Sequence, residues 1–452
     1  MASARNYATY IAAIIAILLV VGVFLGVNHW RNGGSTSTTI SQTTIASTHV
    51  TTPMPTSIPT TTAQPVNYSC PNATRYDLTV PSSWVSLYSE LNQSLDNFSQ
   101  TLGNVSSKPN HTTIYGAELL AADANSGTSL LNPQAMASVN RQLNALQAMG
   151  VNGVTVDISF PLFLPNFPNS SRYIAFYKQV AQAIHSRNMT MVVEYHVIFT
   201  GTSFSSLTYN YSNLTFQQLL RERQQMAQIL ISNISPDIVD LGSEPETTYT
   251  LLQGSGRTYP ELLTPEGWYN YTIGSVSGVN TGSTRIAAGL GSWDSPTDIK
   301  YIANESKLSY ISLHIYPLLS VNQQNVIEDA AIAQEHGKPL LIDEAWEWKE
   351  SQTKPYANVD VNESMRGPWS FWMPIDKKFL SDLIKYADKY NVAYISPFHI
   401  QSFFAYVNYS SVASLSSSQE NALLNQQASQ GIQNGALSQT GCHYKNLISK
   451  NQ

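Results

Sequence analysis

The stretch GVTVDISFPLFLPNFPNSSRYIAFYKQVAQAIHSRNMTMVVEYHVIF, residues 153–199, carries the architecture. Its first run, Gly153 to Ser159, is short and rich in β-branched residues, and reads as a strand. Residues Ser170 to Ser186 have helical spacing of apolar positions. Thr190 to Phe199 is a second strand-like run. Two strands joined through a helix form one crossover unit of a sheet with helices packed on it.

The same alternation continues on both sides. Upstream, Thr113–Leu119 reads as a strand and Pro133–Met149 as a helix. Downstream, a helix fits Thr215–Ser232. Strand readings follow at Asp237–Ser243, Thr284–Gly291, Tyr310–Pro317, Pro339–Trp346 and Val392–Ile400. Their helices fall near Pro260–Ser275, Thr297–Glu305, Asn322–His336, Asp376–Tyr390 and Ser416–Gln430. Eight strand–helix units in a row predict a (β/α)₈ barrel over residues 113–452. A doubly wound sheet is the alternative. No G-x-G-x-x-G follows the first strand and no G-x-x-x-x-G-K-[ST] occurs, which lowers a nucleotide-binding reading. Residues 67–112 form an extension with a helix over Pro81–Gly103.

The 452-residue chain is poor in charge. Asp, Glu, Lys and Arg make up 12% of it, about half the usual share. The net charge is −6 and the pI ≈ 5.8, which argues against a nucleic-acid partner. A surface with few titrating groups also points to tolerance of acid. Residues 1–6 precede an apolar segment, IAAIIAILLVVGVFLGV at Ile11–Val27. With its aromatic flanks it spans 7–30, long enough to cross a bilayer. A cleaved signal peptide is the competing reading, which makes the protein secreted rather than anchored. Residues 31–66 are mostly Ser, Thr and Pro and read as an extended stalk. Fifteen N-x-[ST] motifs are about twice what composition alone supplies, and point to an extracellular, glycosylated chain. The only cysteines, Cys70 and Cys442, flank the ectodomain and are expected to close it as a disulfide in an oxidising compartment.

In a barrel of this kind the chemistry sits where strands end. The polar residues there include Glu118, Asp157, Glu194, His196, Ser243, Glu244, Trp293, Asp294, His314, Tyr316, Asp343, Glu344, Trp346 and His399. Glu244 in DLGSEPET and Glu344 in LLIDEAWEW each follow an apolar run directly. Strands four and seven face each other across the mouth, so both carboxyls can reach one bond from opposite sides. A pair of opposed carboxyls is what glycoside hydrolysis requires: one protonates the leaving oxygen while the other attacks or activates water. Trp293, Trp346, Trp348, Trp369 and Trp372 are candidate stacking platforms for sugar rings. Strict alternation turns Asp343 away from Glu344.

Here the chain resembles clan A glycoside hydrolases, the barrel group that contains family 5 cellulases and mannanases. The clan's acid/base glutamate ends strand four, usually within Asn-Glu-Pro; Ser243-Glu244-Pro245 stands in that place. Its nucleophile ends strand seven, matching Glu344. A His-x-Tyr on strand six matches His314-Ile315-Tyr316, and a strand-three histidine corresponds to His196. The resemblance implies a retaining mechanism on a β-linked glucan or mannan, with Glu244 as acid/base, Glu344 as nucleophile, and His196, Ser243, His314 and Tyr316 around the sugar. Glu244 is then expected to hold the higher pKa of the pair. Ser243 replaces the usual Asn, strand two lacks the family-5 Arg, and strand eight has Phe398 and His399 where a Trp is usual. The chain is therefore divergent within the clan. There is no H-E-x-x-H, no His-x-His and no G-x-S-x-G, so neither metal nor cofactor is expected, and no obligate protein partner is evident. A non-catalytic sugar-binding or adhesion protein, and a transglycosylase using the same residues, are the alternatives.

Overall fold

The computed structural model describes residues 68–70, 76–104, 113–200, 202, 205–316, 319–349, 351 and 367–451. The expected anchor at 7–30 and the stalk at 31–66 lie outside the described residues. Among those described, no helix is long and apolar enough to cross a membrane.

Eight parallel strands form the expected barrel: β1 Ile114–Tyr115, β2 Gly153–Asp157, β3 Thr190–Glu194, β4 Ile238–Asp240, β5 Arg285–Gly291, β6 Tyr310–Ile315, β7 Leu340–Ala345 and β8 Tyr394–Pro397. They pair in the order β1-β8-β7-β6-β5-β4-β3-β2. Closure comes from a parallel bridge between Glu118 and Thr155, with Leu119 N–H donating to Thr155 O at 2.9 Å. The strands are buried along nearly their whole length, as a parallel sheet covered by helices must be.

The outer ring runs α1 Val85–Leu102, α2 Ala135–Ala148, α3 Ser170–His185, α4 Phe216–Ile234, α5 Pro245–Gly254, α6 Pro265–Thr272, α7 Pro296–Ala303, α8 Ser320–Glu335, α9 Met373–Tyr390, α10 Ser417–Asn434 and α11 Gln439–Asn451. Local sequence explains several starts. Thr215 with Gln218, and Ser416 with Gln419, form capping boxes before α4 and α10, each satisfying free N–H groups of the first turn. Proline occupies the first turn of α5, α6 and α7, where its missing N–H costs nothing. Helix α1 is the extra layer expected from the extension. It lies on α9, with Phe98 stacked on Tyr386 and Lys378 Nζ donating to Asn92 O at 3.0 Å.

The barrel interior is layered. Its lower part is apolar: Val192, Ile238, Ala287, Tyr310, Leu341 and Tyr394 pack together. The Tyr394 ring fills the axis and leaves no space for a Cβ at Gly116 or Gly153. Above it the interior turns polar, with Thr155, Asp240, Ser312 and Asp343 all buried. The Cys70–Cys442 disulfide is formed across a sequence separation of 372, with Cα atoms 5.8 Å apart. Beside it Ser69 pairs in parallel with Ala436, so the N-terminal segment is tied to the C-terminal helices.

Candidate active site

The polar upper layer opens into a cleft of about 680 Å³, counted to its mouth, lined from strands β2, β3, β4, β6 and β7 and from the loops after them and after β1 and β8. Seven carboxyl groups line it: Glu118, Asp123, Asp157, Glu194, Asp240, Glu244 and Glu344. His196 and His314 are there too, and neither Lys nor Arg is among the lining residues.

His314 is the centre of the arrangement. Its Nδ1 lies 2.8 Å from Glu244 Oε1 and 3.1 Å from Glu344 Oε2, and its Nε2 lies 2.7 Å from Glu194 Oε1. The two carboxyls singled out from the sequence thus meet at one nitrogen atom. Their nearest oxygens can be no further apart than the sum of those two distances, 5.9 Å. Tyr316, at the end of β6, donates its hydroxyl to Glu344 Oε1 at 2.8 Å.

The backbone explains why these groups converge. Strand β4 ends at Asp240 because Gly242 takes φ +137°, a conformation side chains disfavour, and the Trp268 ring packs on it. The chain leaves the sheet there, and Glu244 becomes the residue before the first turn of α5. On β7 the register shifts against both neighbours, between Ser312 and His314 on β6 and between Ile342 and Ala345. Such an irregularity breaks alternation. Asp343 is therefore not turned away from Glu344: both face His314, with Asp343 Oδ1 3.7 Å from Nε2.

The remaining residues separate into cleft and support. His196 Nε2 pairs with Asp157 Oδ2 at 2.9 Å on the cleft wall. Asn125, which sequence reading missed, donates to the same Asp157 oxygen at 2.9 Å, and its Oδ1 accepts from Phe199 N–H. Ser243 lines the cleft, but its hydroxyl is committed to the floor: it donates to Asp240 Oδ2 at 3.0 Å and meets Ser312 Oγ at 2.6 Å. Arg223, also missed, is fully buried on α4. Its Nη2 donates to Tyr195 O at 3.2 Å and Leu241 O at 2.9 Å, and its guanidinium lies between the Tyr195 and Tyr271 rings. These are the first carbonyls past the last β3–β4 pair, Glu194 with Asp240, so Arg223 sets the spacing of the two strand ends.

The tryptophan expectation needs correction. Trp346 packs edge-on against His399 and Phe403 and is only 4% exposed, while Trp348, Trp369 and Trp372 are buried as well. Their large apolar faces serve the core. Trp293 is partly exposed but lines a second pocket, beyond α5, rather than this cleft. The aromatic rings on the cleft are Tyr195, Phe199, Tyr271 and Phe398.

The electrostatics follow from many acids in a buried space. Burial, then Glu194 and Glu244, push the Glu344 carboxyl well above the usual range, while His314 and Tyr316 pull it back. Burial lifts Glu118, with Glu194 and Glu344 adding to it; burial and Asp240 lift Asp343. Burial works against a charged His314, but Glu344 and Glu194 outweigh it and hold the ring well above its ordinary value. His196 is likewise raised, by Asp157 against burial. Among the described residues, two sets of three groups could hold a metal ion: Glu194, His314 and Glu344, and Asp240, His314 and Asp343, each set with its ligand atoms within 4.8 Å of one another.

No protein-family model matches the chain, and no curated protein does. Solved structures do. One is a family 5, subfamily 18 glycoside hydrolase from Bifidobacterium longum in complex with Manβ1-4GlcNAc: 10% identity over 75% of this chain and 78% of that one, TM-score 0.46. Another is the AHE enzyme from Alicyclobacillus herbarius: 11% identity, 77% and 99% covered, TM-score 0.46. A third is the family 113 β-mannanase from Alicyclobacillus acidocaldarius: 11% identity, 72% and 100% covered, TM-score 0.38. The chain is similar to such (β/α)₈ glycoside hydrolases at low identity, and the likeness is one of fold.

Proposed function

We propose that this protein is a retaining glycoside hydrolase acting on an uncharged, β-linked glucan or mannan at the cell surface. The observation that carries the reading is the meeting of Glu244 and Glu344 at His314 Nδ1, from opposite sides of the barrel mouth. Retaining enzymes hold their carboxyls about 5–5.5 Å apart, and inverting ones about 6.5–9.5 Å. An upper bound of 5.9 Å between the nearest oxygens favours the former. Among the described residues seven carboxyls and neither Lys nor Arg line the cleft, a balance that disfavours an anionic substrate, so an uncharged glycan suits it.

In this mechanism the Glu344 carboxylate attacks the anomeric carbon. The glycosidic C–O bond breaks, and the leaving oxygen takes the proton of Glu244. Water then attacks the glycosyl ester, gives its proton to Glu244, and releases Glu344 as carboxylate. Tyr316 and His314 hold negative charge on Glu344 against its burial. His314, in contact with both carboxyls and biased toward its charged form by Glu344 and Glu194, is the group through which their proton is shared. Arg223 and the Asp240–Ser243–Ser312 network keep the strand ends in place beneath them.

The apolar segment at 7–30 and the Ser/Thr/Pro-rich stretch at 31–66 support anchoring at the cell surface with the barrel outside. Fractionation of cells expressing the full chain tests this: activity in a soluble fraction at physiological salt removes the anchor. The activity itself is tested with 2-fluoro glycosides of gluco, manno, galacto and xylo configuration bearing good leaving groups. A mass-spectrometric adduct on Glu344 is expected. No adduct, together with no hydrolysis of polysaccharides, overturns the reading in favour of a sugar-binding protein.

A further inference from the structure

The first turn of α5 is a wall with two sides. Glu244, Thr247 and Thr248 face the cleft, whereas Pro245 and Glu246 face a second pocket of about 610 Å³, counted to its mouth. Its other walls include Leu263, Pro265, Trp268, Trp293 and Asp294, again without Lys or Arg. Leu263 is exposed at the rim.

The loop that carries Trp293 is rigidly held. Asn325 Nδ2 donates to Ser292 O at 3.0 Å and to Asp294 O at 2.9 Å, and Gly291 N–H donates to Asp294 Oδ2 at 2.9 Å. The indole lies across Gly291, where a Cβ would stand 2.3 Å from the ring. The platform is thus set before any ligand arrives, which lowers the ordering cost of binding. Glu246 is only 6% exposed, and its Oε2 makes no hydrogen bond of good geometry although Asp294 and Trp293 lie beside it. A buried polar atom left so is costly and marks a place for a partner. Burial raises both acids, and Glu246 raises Asp294 further, so two carboxyls biased toward the form that can donate as well as accept stand beside an aromatic face. That combination suits a pyranose, whose C–H face is apolar and whose edge carries hydroxyls.

We propose that this pocket is a second sugar-binding site, taking an uncharged pyranose unit of a polymer, with Trp293 as platform and Glu246 and Asp294 as hydroxyl partners. That the polymer is the one cleaved in the cleft rests on the functional reading above; the pocket itself does not. Holding one stretch of a chain here raises the effective concentration of the rest at Glu244 and Glu344.

The test is calorimetric titration of the full chain carrying Glu344→Gln with cellohexaose and with mannohexaose. Two classes of site are expected for one of these sugars. Adding Trp293→Ala should weaken one class at least tenfold and leave the other. Glu246→Gln, nearly isosteric, serves as an independent variant and should weaken the same class several-fold. A single class indifferent to both substitutions overturns the proposal, as does absence of binding to a folded chain. An adduct on Glu344 without Trp293-dependent binding removes the pocket and keeps the glycosidase. Trp293-dependent binding without adduct or hydrolysis keeps the pocket and removes the glycosidase.

Discussion

Tyr316→Phe removes one oxygen atom from the site. The ring is retained, and with it the edge-on contact to Phe398. What is lost is the 2.8 Å hydrogen bond to Glu344 Oε1, inside a space where Glu344 is only 7% exposed. A hydrogen bond to a charged group is worth about 1.5–3 kcal/mol, and 1.36 kcal/mol corresponds to one pH unit of titration. Tyr316 favours the ionised form of Glu344, so its removal makes that carboxyl harder to ionise. The acidic limb of kcat/KM should move up by about one to two pH units. Below the limb, activity should fall roughly 10- to 100-fold; well above it, the loss should be small. The assay is a pH–rate profile with an aryl glycoside that the wild type turns over. An acidic limb that stays in place refutes the reasoning. So does a loss equal at every pH, which would give Tyr316 a purely geometric role.

Glu344→Gln should lower turnover by on the order of 10⁴-fold or more with thermal denaturation little changed, as activity and melting measurements on one preparation will show. Replacing Cys70 and Cys442 by Ser opens a loop with a sequence separation of 372, which the chain-entropy relation values at about 6 kcal/mol. Over roughly 380 residues that is a fall in Tm of roughly 7 °C; an unchanged melting point disproves it. Arg223→Met should cost about 2–4 kcal/mol by denaturant titration, since two strand-end carbonyls lose a charged donor in a buried place, and kcat should fall more than KM rises; a loss of stability alone assigns Arg223 to the core. Glu118, Asp123 and Asp343 all have raised pKa values in the fold. Their stabilising effect is full below the ordinary carboxyl range near pH 4 and is lost as pH rises through the raised values. The Tm should therefore be higher at pH 4 than at pH 7, and the reverse order counts against it.

The barrel was legible because its strands are continuous apolar runs: the reading at 284–291 differs from β5 by one residue at one end, and that at 339–346 from β7 by one residue at each end. Strand β4 is shorter than its sequence suggests, since an apolar pattern does not reveal the positive φ of Gly242. Helix α5 was missed because PETTYTLLQG is rich in Thr and begins immediately after Glu244. Helix α11 was missed because QTGCHYKNLISKN has a weak apolar stripe. The carboxyl pair and its Tyr316 partner could be read from position in the strand order. The role of His314 could not, because it depends on register shifts along β7 that no local pattern encodes. The tryptophans were misplaced for a related reason. Sequence shows that they follow strands, but whether an indole faces solvent or fills the core is decided by neighbours distant in the chain, such as Phe403 beside Trp346.

The concentration of acids above the barrel core sets two demands against each other. Folding favours the protonated forms of Glu118, Asp123, Asp343 and Glu344, because ionising them at short range in a buried space is costly. The proposed nucleophilic role of Glu344 needs the ionised form of one of them. The position of His314 reconciles the two: it touches Glu194, Glu244 and Glu344, which bias it toward the imidazolium, and an imidazolium there neutralises one charge, wherever on the three carboxyls it resides. Glu118, Asp123 and Asp343 can then keep their protons while Glu344, in its proposed role, does not. A His314→Asn replacement removes that option. Either Glu344 keeps its proton and activity is lost, or the carboxyls ionise without compensation and the fold weakens. In the first case the acidic limb moves up with little change in Tm, and in the second the Tm at neutral pH falls while the limb holds. Neither effect should occur if the histidine merely fills space, so an unaltered profile and melting point together would remove it from the centre of the site.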